Sequence, residues 1–217
     1  MDHPPAKDPE TMPQDHIVRD LETLRAIYGT PSGGAVAKEV DYLHPHYQAL
    51  IRAAPFAVLA TAGERFVDAT PRGDGPGFVA IEDDRTLLLP DRRGNNRIDN
   101  LRNILHDPRV ALLFLIPGIG ETLRVNGRAE ISIAPDLLQR FIHDGKLPRS
   151  VLVVHVETVF FQCAKAIMRS ELWNPERHIT RASLPSNGTI LADITKGAMD
   201  GAALDKTGHA RLIETMY

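Results

Sequence analysis

The sequence predicts a mainly β protein, an antiparallel barrel of about six or seven strands with peripheral helices. Short apolar or β-branched segments separated by turn residues recur between residues 56 and 163. One helical pattern, from about residue 96 to 106, is inserted after the fourth strand. A doubly wound parallel sheet would need a helix after almost every strand, so the sequence favours a closed or nearly closed antiparallel barrel.

Composition narrows the class of protein. The 217 residues, 43% hydrophobic and 24% charged, suffice for one domain with appendages. A net charge of −3 gives no global attraction to nucleic acid or to an anionic membrane, so any anion site must be local. The single cysteine, Cys163, excludes an intrachain disulfide and a cysteine-based zinc site. With no apolar stretch typical of a signal peptide or a membrane helix, we expect a soluble, cytoplasmic protein.

Two helices are predicted before the first strand. Residues 15–28 show helical periodicity, with Asp15 as a candidate N-cap and Gly29 where the helix would end. A link rich in glycine and proline follows, through Gly34. A second, short helix is predicted over residues 45–54, because Pro55 would end it.

Four short strands then follow as a predicted antiparallel meander, over residues 56–61, 65–71, 78–81 and 86–89. Beyond the inserted helix, strands are predicted over residues 109–116, 122–133 and 151–163, with a helix over residues 135–143. The pair Asn126-Gly127 is compatible with a hairpin turn, but the apolar positions stay in phase across it. We therefore expect one long strand bent at the glycine. After Trp173 the strand patterns stop, and only weak helix is expected near residues 190–199.

A basic turn lies between the fourth strand and the inserted helix. Its sequence is Asp91-Arg92-Arg93-Gly94-Asn95-Asn96-Arg97. The first N–H groups of a helix lack intrahelical partners, and arginine forks pair two phosphate oxygens, so the turn suits a phosphate. The alternative is a solvated basic turn whose asparagines cap the helix.

A second arginine source is Arg72, at the end of the second strand. In a meander this strand would lie beside the strand that enters the basic turn, so two arginine sources would converge on one anion. The alternative is a surface ion pair of Arg72 with Asp74 or Asp68, which would contribute roughly 0 to 1 kcal/mol.

Residues 44–178 resemble the pyridoxamine 5′-phosphate oxidase-type FMN-binding split-barrel family, and more closely a bacterial branch of it. The order and number of the shared motifs make the resemblance specific. They are Ala-Thr-Pro-Arg-Gly-Asp-Gly-Pro-Gly-Phe (69–78), the basic turn (91–97), Asn-Leu-Arg-Asn (100–103), Asp-Pro-Arg-Val (107–110), Glu-Thr-Leu-Arg-Val-Asn-Gly-Arg-Ala (121–129) and Cys-Ala-Lys-Ala-Ile-Met-Arg-Ser-Glu-Leu-Trp (163–173).

The resemblance implies a homodimer with FMN at the interface. It places the flavin phosphate at Asn95, Asn96 and Arg97, with Arg92 and Asp91 in the same turn, and the ribityl chain and ring edge along Thr70, Pro71 and Arg72. Thr122 would reach the flavin from the partner subunit. The segment carrying Lys165, Arg169, Ser170 and Trp173 would close over the ring. The implied organisation is an N-terminal leader and helix (1–43), an FMN-binding split-barrel domain (44–178) and a C-terminal tail (179–217).

The function this implies is an FMN-dependent oxidoreductase acting on an unassigned small molecule, with a nicotinamide cofactor as a candidate electron donor. The alternatives are a flavin-binding module for sensing or storage without efficient turnover, or a barrel that holds a deazaflavin or haem. The oxidases proper hold pyridoxal phosphate with an Arg-x-His pair and end in an Arg-Leu-x-Pro motif. Residues 174–178 and 211–217 match neither pattern, so we do not expect vitamin B6 oxidation.

Individual candidates complete the expectations. No residue is required as a covalent nucleophile, and Arg169 or Lys165 would stabilise negative charge on a reduced ring. Trp173 suits stacking on a ring, or equally a core or interface position. Cys163 is expected to be a small buried hydrophobe. His44 and His46 lack further metal-ligand spacing and are expected to start a helix, so no metal site is predicted.

Overall fold

The computed structural model of the chain describes residues 16–64 and 66–217. It divides into an N-terminal unit that ends at Lys38 and a larger unit, Glu39–Tyr217. Within the described residues, no helix is both long and apolar enough to cross a membrane.

The N-terminal unit contains two helices, α1 (Leu21–Tyr28) and α2 (Gly33–Ala37). Helix α1 begins where it does because the Asp20 carboxylate accepts the backbone N–H of Thr23 at 2.7 Å. The expected cap, Asp15, lies outside the described residues. Helix α2, which begins at the end of the predicted link, was not predicted.

Seven antiparallel strands form one sheet in the larger unit, which confirms the predicted mainly β class and strand number. Their order in the sheet is β2-β1-β5-β6-β7-β4-β3, so β2 and β3 are its edges and strand pairing does not close it. The strands are β1 (Phe56–Ala62), β2 (Val67–Gly73), β3 (Ala80–Ile81), β4 (Thr86–Asp91), β5 (Arg109–Leu115), β6 (Thr122–Ser132) and β7 (Ser150–Gln162).

The predicted meander of the first four strands is wrong. Strand β2 pairs only with β1 and β3 only with β4, and these two hairpins lie at opposite ends of the sheet. Pro71 within β2 has no N–H to donate, which suits an edge strand. Strands β1 and β4 instead pair on their other sides with β5 and β7, which come later in the chain.

The long strand β6 is bent as predicted. Its register with β7 shifts between Asn126 and Gly127, as at a β-bulge. A Cβ atom at Gly127 would overlap the carbonyl oxygen of His155 on β7. Glycine is therefore required by the close approach of the two backbones rather than by a turn.

Six α-helices accompany the sheet in the described part of the larger unit. Helix α3 begins at the predicted residue, whereas α4 begins at Asp99 and not near Asn96, because Asn96 has a left-handed φ of 61°. Helix α5 is shorter than predicted, and α6 and α8 were not predicted. The helices are α3 (Pro45–Ala53), α4 (Asp99–His106), α5 (Pro135–Arg140), α6 (Lys165–Ser170), α7 (Asn187–Ile194) and α8 (Gly201–Glu214).

The hydrophobic core lies within the curved sheet and under α3 and α4. Its buried side chains come from the five strands β1, β4, β5, β6 and β7, from α3 and α4, and from residues beside these elements. Members less than 2% exposed include Leu43, Ile51, Leu59, Leu87, Leu89, Leu112, Phe114, Leu123, Val125 and Leu152.

Candidate functional site

A cavity of about 340 Å³ lies where the ends of β2 and β4 meet. These strands are far apart in the order of the sheet, so the curvature of the sheet brings them together. The lining residues are Pro71, Arg72, Gly73, Asp74, Phe78, Pro90, Asp91, Arg92, Arg93, Gly94, Met216 and Tyr217. The cavity therefore combines the end of β2, the first half of the basic turn and the end of the chain segment after α8.

Arg72 joins the two strands. Its Nη2 lies 3.2 Å from Oδ1 of Asp91, and both side chains are about one-fifth exposed, at 21% and 18%. Its Nη1 donates to the backbone carbonyl of Pro71 at 3.3 Å. Its Nε is buried and has no hydrogen-bond partner among the residues that the structure describes. A buried donor without a partner is costly, so Arg72 is suited to bind an added acceptor at the cavity.

The ionised carboxylate of Asp91 is itself disfavoured by burial. Burial raises the pKa of Asp91 above its ordinary value, although the positive charges of Arg72 and Arg149 oppose the shift. The environment as a whole therefore disfavours the ionised form. An anion that binds beside Asp91 would disfavour that form further.

Arg92 is held by a different aspartate. Its Nε lies 2.6 Å from Oδ2 of Asp74, and its Nη1 donates to the carbonyl of Phe141 at 3.0 Å. Burial acts to raise the pKa of Asp74, but hydrogen bonds from Gly75 and Tyr217 and the charge of Arg92 hold it below its ordinary value. Asp74 is therefore a stable carboxylate anchor for Arg92.

The side chains that line the cavity carry a net positive charge. Three lining guanidinium groups, those of Arg72, Arg92 and Arg93, face two carboxylates, which leaves a net charge of +1 when both are ionised. No hydrogen bond or ion pair engages the Arg93 side chain among the described residues. The residues present thus fit a phosphate group, since one guanidinium has no counter-charge and a second has an unused buried donor.

The second half of the basic turn lies outside this lining. Asn95 accepts the backbone N–H of Arg97 at 3.0 Å, and the Arg97 guanidinium pairs with Asp99 at 2.8 Å while 78% exposed. Asn95, Asn96 and Arg97 are exposed, and the first turn of α4 begins after them. Of the predicted phosphate contacts, the structure brings Arg72, Asp91 and Arg92 together. The roles of the other three stay a prediction.

The remaining predicted residues lie elsewhere in the chain. Thr70 is half-buried on β2, next to the lining residue Pro71. Thr122 is next to Leu123, which the strand register places three strands away from Arg72. At about 4.8 Å per strand, the two backbones are roughly 14 Å apart along the sheet.

The segment around α6, residues 163–173, also contributes nothing to the cavity within one chain. Lys165, Arg169 and Ser170 lie on α6, and the Ser170 hydroxyl donates to the carbonyl of Ile167 at 3.1 Å. Trp173 donates from Nε1 to the carbonyl of Ile119 at 2.8 Å, which fixes it against the loop between β5 and β6. None of these four residues lines the cavity.

Sequence reasoning missed five lining side chains, those of Asp74, Phe78, Pro90, Met216 and Tyr217. From the sequence, Asp74 was considered only as a partner of Arg72. In the structure Asp74 pairs with Arg92, and Arg72 pairs with Asp91 instead. The Arg-Gly-Asp-Gly-Pro-Gly turn was a usable signal, because it places a carboxylate directly after the arginine.

Two lone candidates have clear positions. The Nδ1 of His44 accepts the N–H of His46 at 3.2 Å, so His44 caps the start of α3 as expected. Cys163 is exposed, so its predicted burial is wrong: the residue lies just beyond the end of β7 and not within the strand. In residues 16–64 and 66–217, no group of three or more histidine, cysteine or acidic side chains is placed to hold a metal.

Comparison with known proteins gives the family. The model of the family described as pyridoxamine 5′-phosphate oxidase matches residues 43–163, more than half of the chain. No curated protein sequence matches.

Several solved structures are similar. HupZ of Group A Streptococcus is 18% identical over 55% of this chain and 94% of its own, with a TM-score of 0.46. General Stress Protein 26 of Bacillus anthracis is 17% identical over 52% of this chain and 88% of its own, with a TM-score of 0.41. A FAD-binding protein of Mesorhizobium loti is 18% identical over 55% of this chain and 94% of its own, with a TM-score of 0.40. From the family match and the split, seven-stranded sheet, the chain belongs to the pyridoxamine 5′-phosphate oxidase family.

Proposed function

We propose that the chain is an FMN-binding flavoprotein that acts as an FMN-dependent oxidoreductase on a small molecule, and that the cavity between β2 and β4 holds the flavin phosphate. The observation that carries the proposal is the meeting of Arg72 and Arg92 at one cavity, where the buried Nε of Arg72 has no partner. Family membership supports a flavin as the ligand. When bound, FMN supplies the electron transfer at its isoalloxazine ring.

The residues of the cavity would bind and orient the phosphate. Arg72 offers Nε, Arg93 offers a whole guanidinium, and Arg92 offers Nη2, since its other nitrogens hold Asp74 and Phe141. Asp91 would gain a proton more readily once a dianion lies nearby, because burial already raises its pKa. Asn96 and Arg97 would add contacts if Arg97 exchanged Asp99 for the phosphate.

A homodimer completes this proposal. Thr122 and the α6 segment lie outside the cavity of their own chain, so we assign them to the flavin of a second copy. Thr122 would contact the ring edge, and Ser170 and Trp173 would close over it. Lys165 or Arg169 would place a positive charge where the reduced ring carries negative charge, which stabilises the reduced form.

Reconstitution with FMN tests the proposal. The purified protein should be yellow, or become so with FMN, and should release FMN on denaturation. Arg72→Ala removes a charge-assisted contact and should weaken FMN binding by about 10- to 150-fold, since such bonds contribute roughly 1.5 to 3 kcal/mol. Arg25→Ala, an exposed arginine in α1, is the matched control and should leave the affinity unchanged. A colourless protein that cannot be reconstituted would refute the assignment.

A second variant separates the two halves of the turn. If the double substitution Asn96→Ala and Arg97→Ala changes the FMN affinity less than about threefold, these two residues do not hold the phosphate. The assignment of Arg72 and Arg92 would be unaffected, because it rests on different contacts.

Turnover needs its own test. A reductase should lose its flavin absorbance when NADH or NADPH is added without oxygen. If every electron donor tried, nicotinamide or other, fails to bleach the flavin, the result counts against a reductase and favours a flavin-binding module for sensing or storage.

A further inference from the structure

The side chain of Tyr217 is fixed against the cavity by three groups. Its ring stacks on the imidazole of His143, with centroids 3.8 Å apart and planes inclined by 18°. Its hydroxyl donates to Oδ1 of Asp74 at 2.9 Å. Its backbone oxygen accepts from Nζ of Lys146 at 3.1 Å. These contacts hold a residue distant in sequence from β2 and β4 directly beside them.

Tyr217 and Arg92 share the same aspartate. Asp74 accepts the tyrosine hydroxyl on Oδ1 and the Arg92 Nε on Oδ2. The guanidinium carbon of Arg92 also lies 5.2 Å from the centroid of the Tyr217 ring, a cation–π contact. Tyr217 therefore acts on Arg92 both through the ring and through Asp74.

These contacts limit the orientation of the Arg92 guanidinium. Nε is used by Asp74 and Nη1 by the carbonyl of Phe141 at 3.0 Å, which leaves Nη2 without a partner among the described residues. Because the group is planar, fixing two nitrogens also fixes the direction of the third.

The protonation states keep this arrangement over a wide pH range. The hydrogen bond to Asp74 raises the pKa of Tyr217, so the hydroxyl stays a donor at neutral and mildly alkaline pH. The pKa of Asp74 is held below its ordinary value, so this carboxylate stays an acceptor under mildly acidic conditions.

We propose that Tyr217 is a positioning residue, which holds Asp74 and Arg92 so that Nη2 of Arg92 is presented to the phosphate of the bound ligand. The inference rests on the proposed function, in which the cavity binds the phosphate of FMN. It assigns to the segment after α8 a part in ligand binding that neither the family match nor the sequence motifs include.

Paired titrations with FMN and riboflavin test this role, because riboflavin has the same ring and ribityl chain but no phosphate. Tyr217→Ala removes the ring and the hydroxyl, and should weaken FMN binding at least about tenfold while riboflavin binding changes less than about twofold. Tyr217→Phe keeps the ring and loses the hydroxyl, and should give a smaller loss, about threefold. Tyr28→Ala, an exposed tyrosine in α1, is the control. Quenching of flavin fluorescence measures all affinities.

A double-mutant cycle tests whether Tyr217 acts through Asp74. With Asp74→Ala as the second substitution, the loss caused by Tyr217→Phe should shrink, because alanine removes the acceptor of the Tyr217 hydroxyl. Additive losses would overturn the mechanism. Thermal unfolding of each variant distinguishes a loss of affinity from a loss of folded protein.

The remaining outcomes separate this inference from the proposed function. If the wild-type chain binds no FMN, the proposed function fails and the inference fails with it. If the wild type binds FMN but Tyr217→Ala binds it equally well, only the inference fails. Equal losses for FMN and riboflavin also overturn it, since they would make Tyr217 a wall of the cavity and not a residue that acts on the phosphate.

Discussion

Substitution of Thr61 by valine should destabilise the attachment of α4 to the sheet. The hydroxyl oxygen of Thr61, on β1, accepts one N–H from Asn100 and one from Asn103, each at 3.0 Å. Thr61 is 3% exposed and Asn100 is 5% exposed. These hydrogen bonds attach α4 to β1. Helix α4 follows the basic turn directly, so the same bonds also fix the position at which the turn ends.

The expected magnitude follows from these contacts. Valine keeps the shape of threonine but cannot accept a hydrogen bond, so both amides lose an acceptor. Asn100 retains its contact with Asp68 at 3.1 Å, whereas Asn103 is left without this partner. Losing a buried acceptor costs about 1 to 3 kcal/mol, so we expect the free energy of unfolding to fall by about 1.5 to 3 kcal/mol.

Urea unfolding followed by circular dichroism measures this change. The slope of the free energy of unfolding against urea concentration should be unaltered, because unfolding exposes the same surface area in both proteins. Thr180→Val is the matched control, since Thr180 is exposed and its hydroxyl makes no hydrogen bond in the described residues. A loss below about 0.5 kcal/mol in Thr61→Val, or an equal loss in the control, would refute the reasoning.

Two further predictions concern the site and the sheet. The pKa of Asp91 is raised in the folded state, so its ionisation lowers the stability of the fold as the pH rises from about 4 through that pKa. Asp91→Asn should therefore flatten this part of the stability–pH curve, as urea unfolding at several pH values would show. The same substitution should tighten FMN binding, which fluorescence titration measures. Weaker FMN binding would mean that Asp91 is needed to orient Arg72. Gly127→Ala should lower the free energy of unfolding by at least about 1 to 3 kcal/mol, because the new Cβ overlaps the carbonyl of His155. Gly208→Ala, which has open space in α8, should be neutral or stabilising, and an equal loss there would contradict the packing argument.

Most strands could be predicted because their signal is local. Alternating apolar residues in β6 and the turn residues around β1 and β4 define those strands without reference to distant residues. The meander could not be excluded from the same pattern, because strand order depends on β5 and β7, which come later. One residue did indicate the edge position of β2: Pro71, which has no N–H to donate to a neighbouring strand.

The site was predicted in part for the same reason. Arginines in a turn before a helix mark an anion site locally, and two arginines of the turn, Arg92 and Arg93, do line the cavity, together with Arg72 at the end of β2. Their exchanged aspartate partners and Tyr217 could not be predicted, since they depend on how the sheet curves and where α8 ends. The packing of α7 against α8 could not be predicted either. The two helices approach each other at Gly188 and Gly201, so their contact needs no apolar stripe that the sequence would show.

The bridge between β2 and β4 has a consequence for motion. In the part of the chain that the structure describes, no backbone hydrogen bond joins these strands. The opening between them is therefore resisted by side chains, among them the pairs Arg72–Asp91 and Arg92–Asp74. A phosphate bound to both arginines would add a third tie across the same opening. Amide hydrogen exchange at the edge strand β2 should therefore slow when FMN binds, and more than in β6, which is paired on both sides.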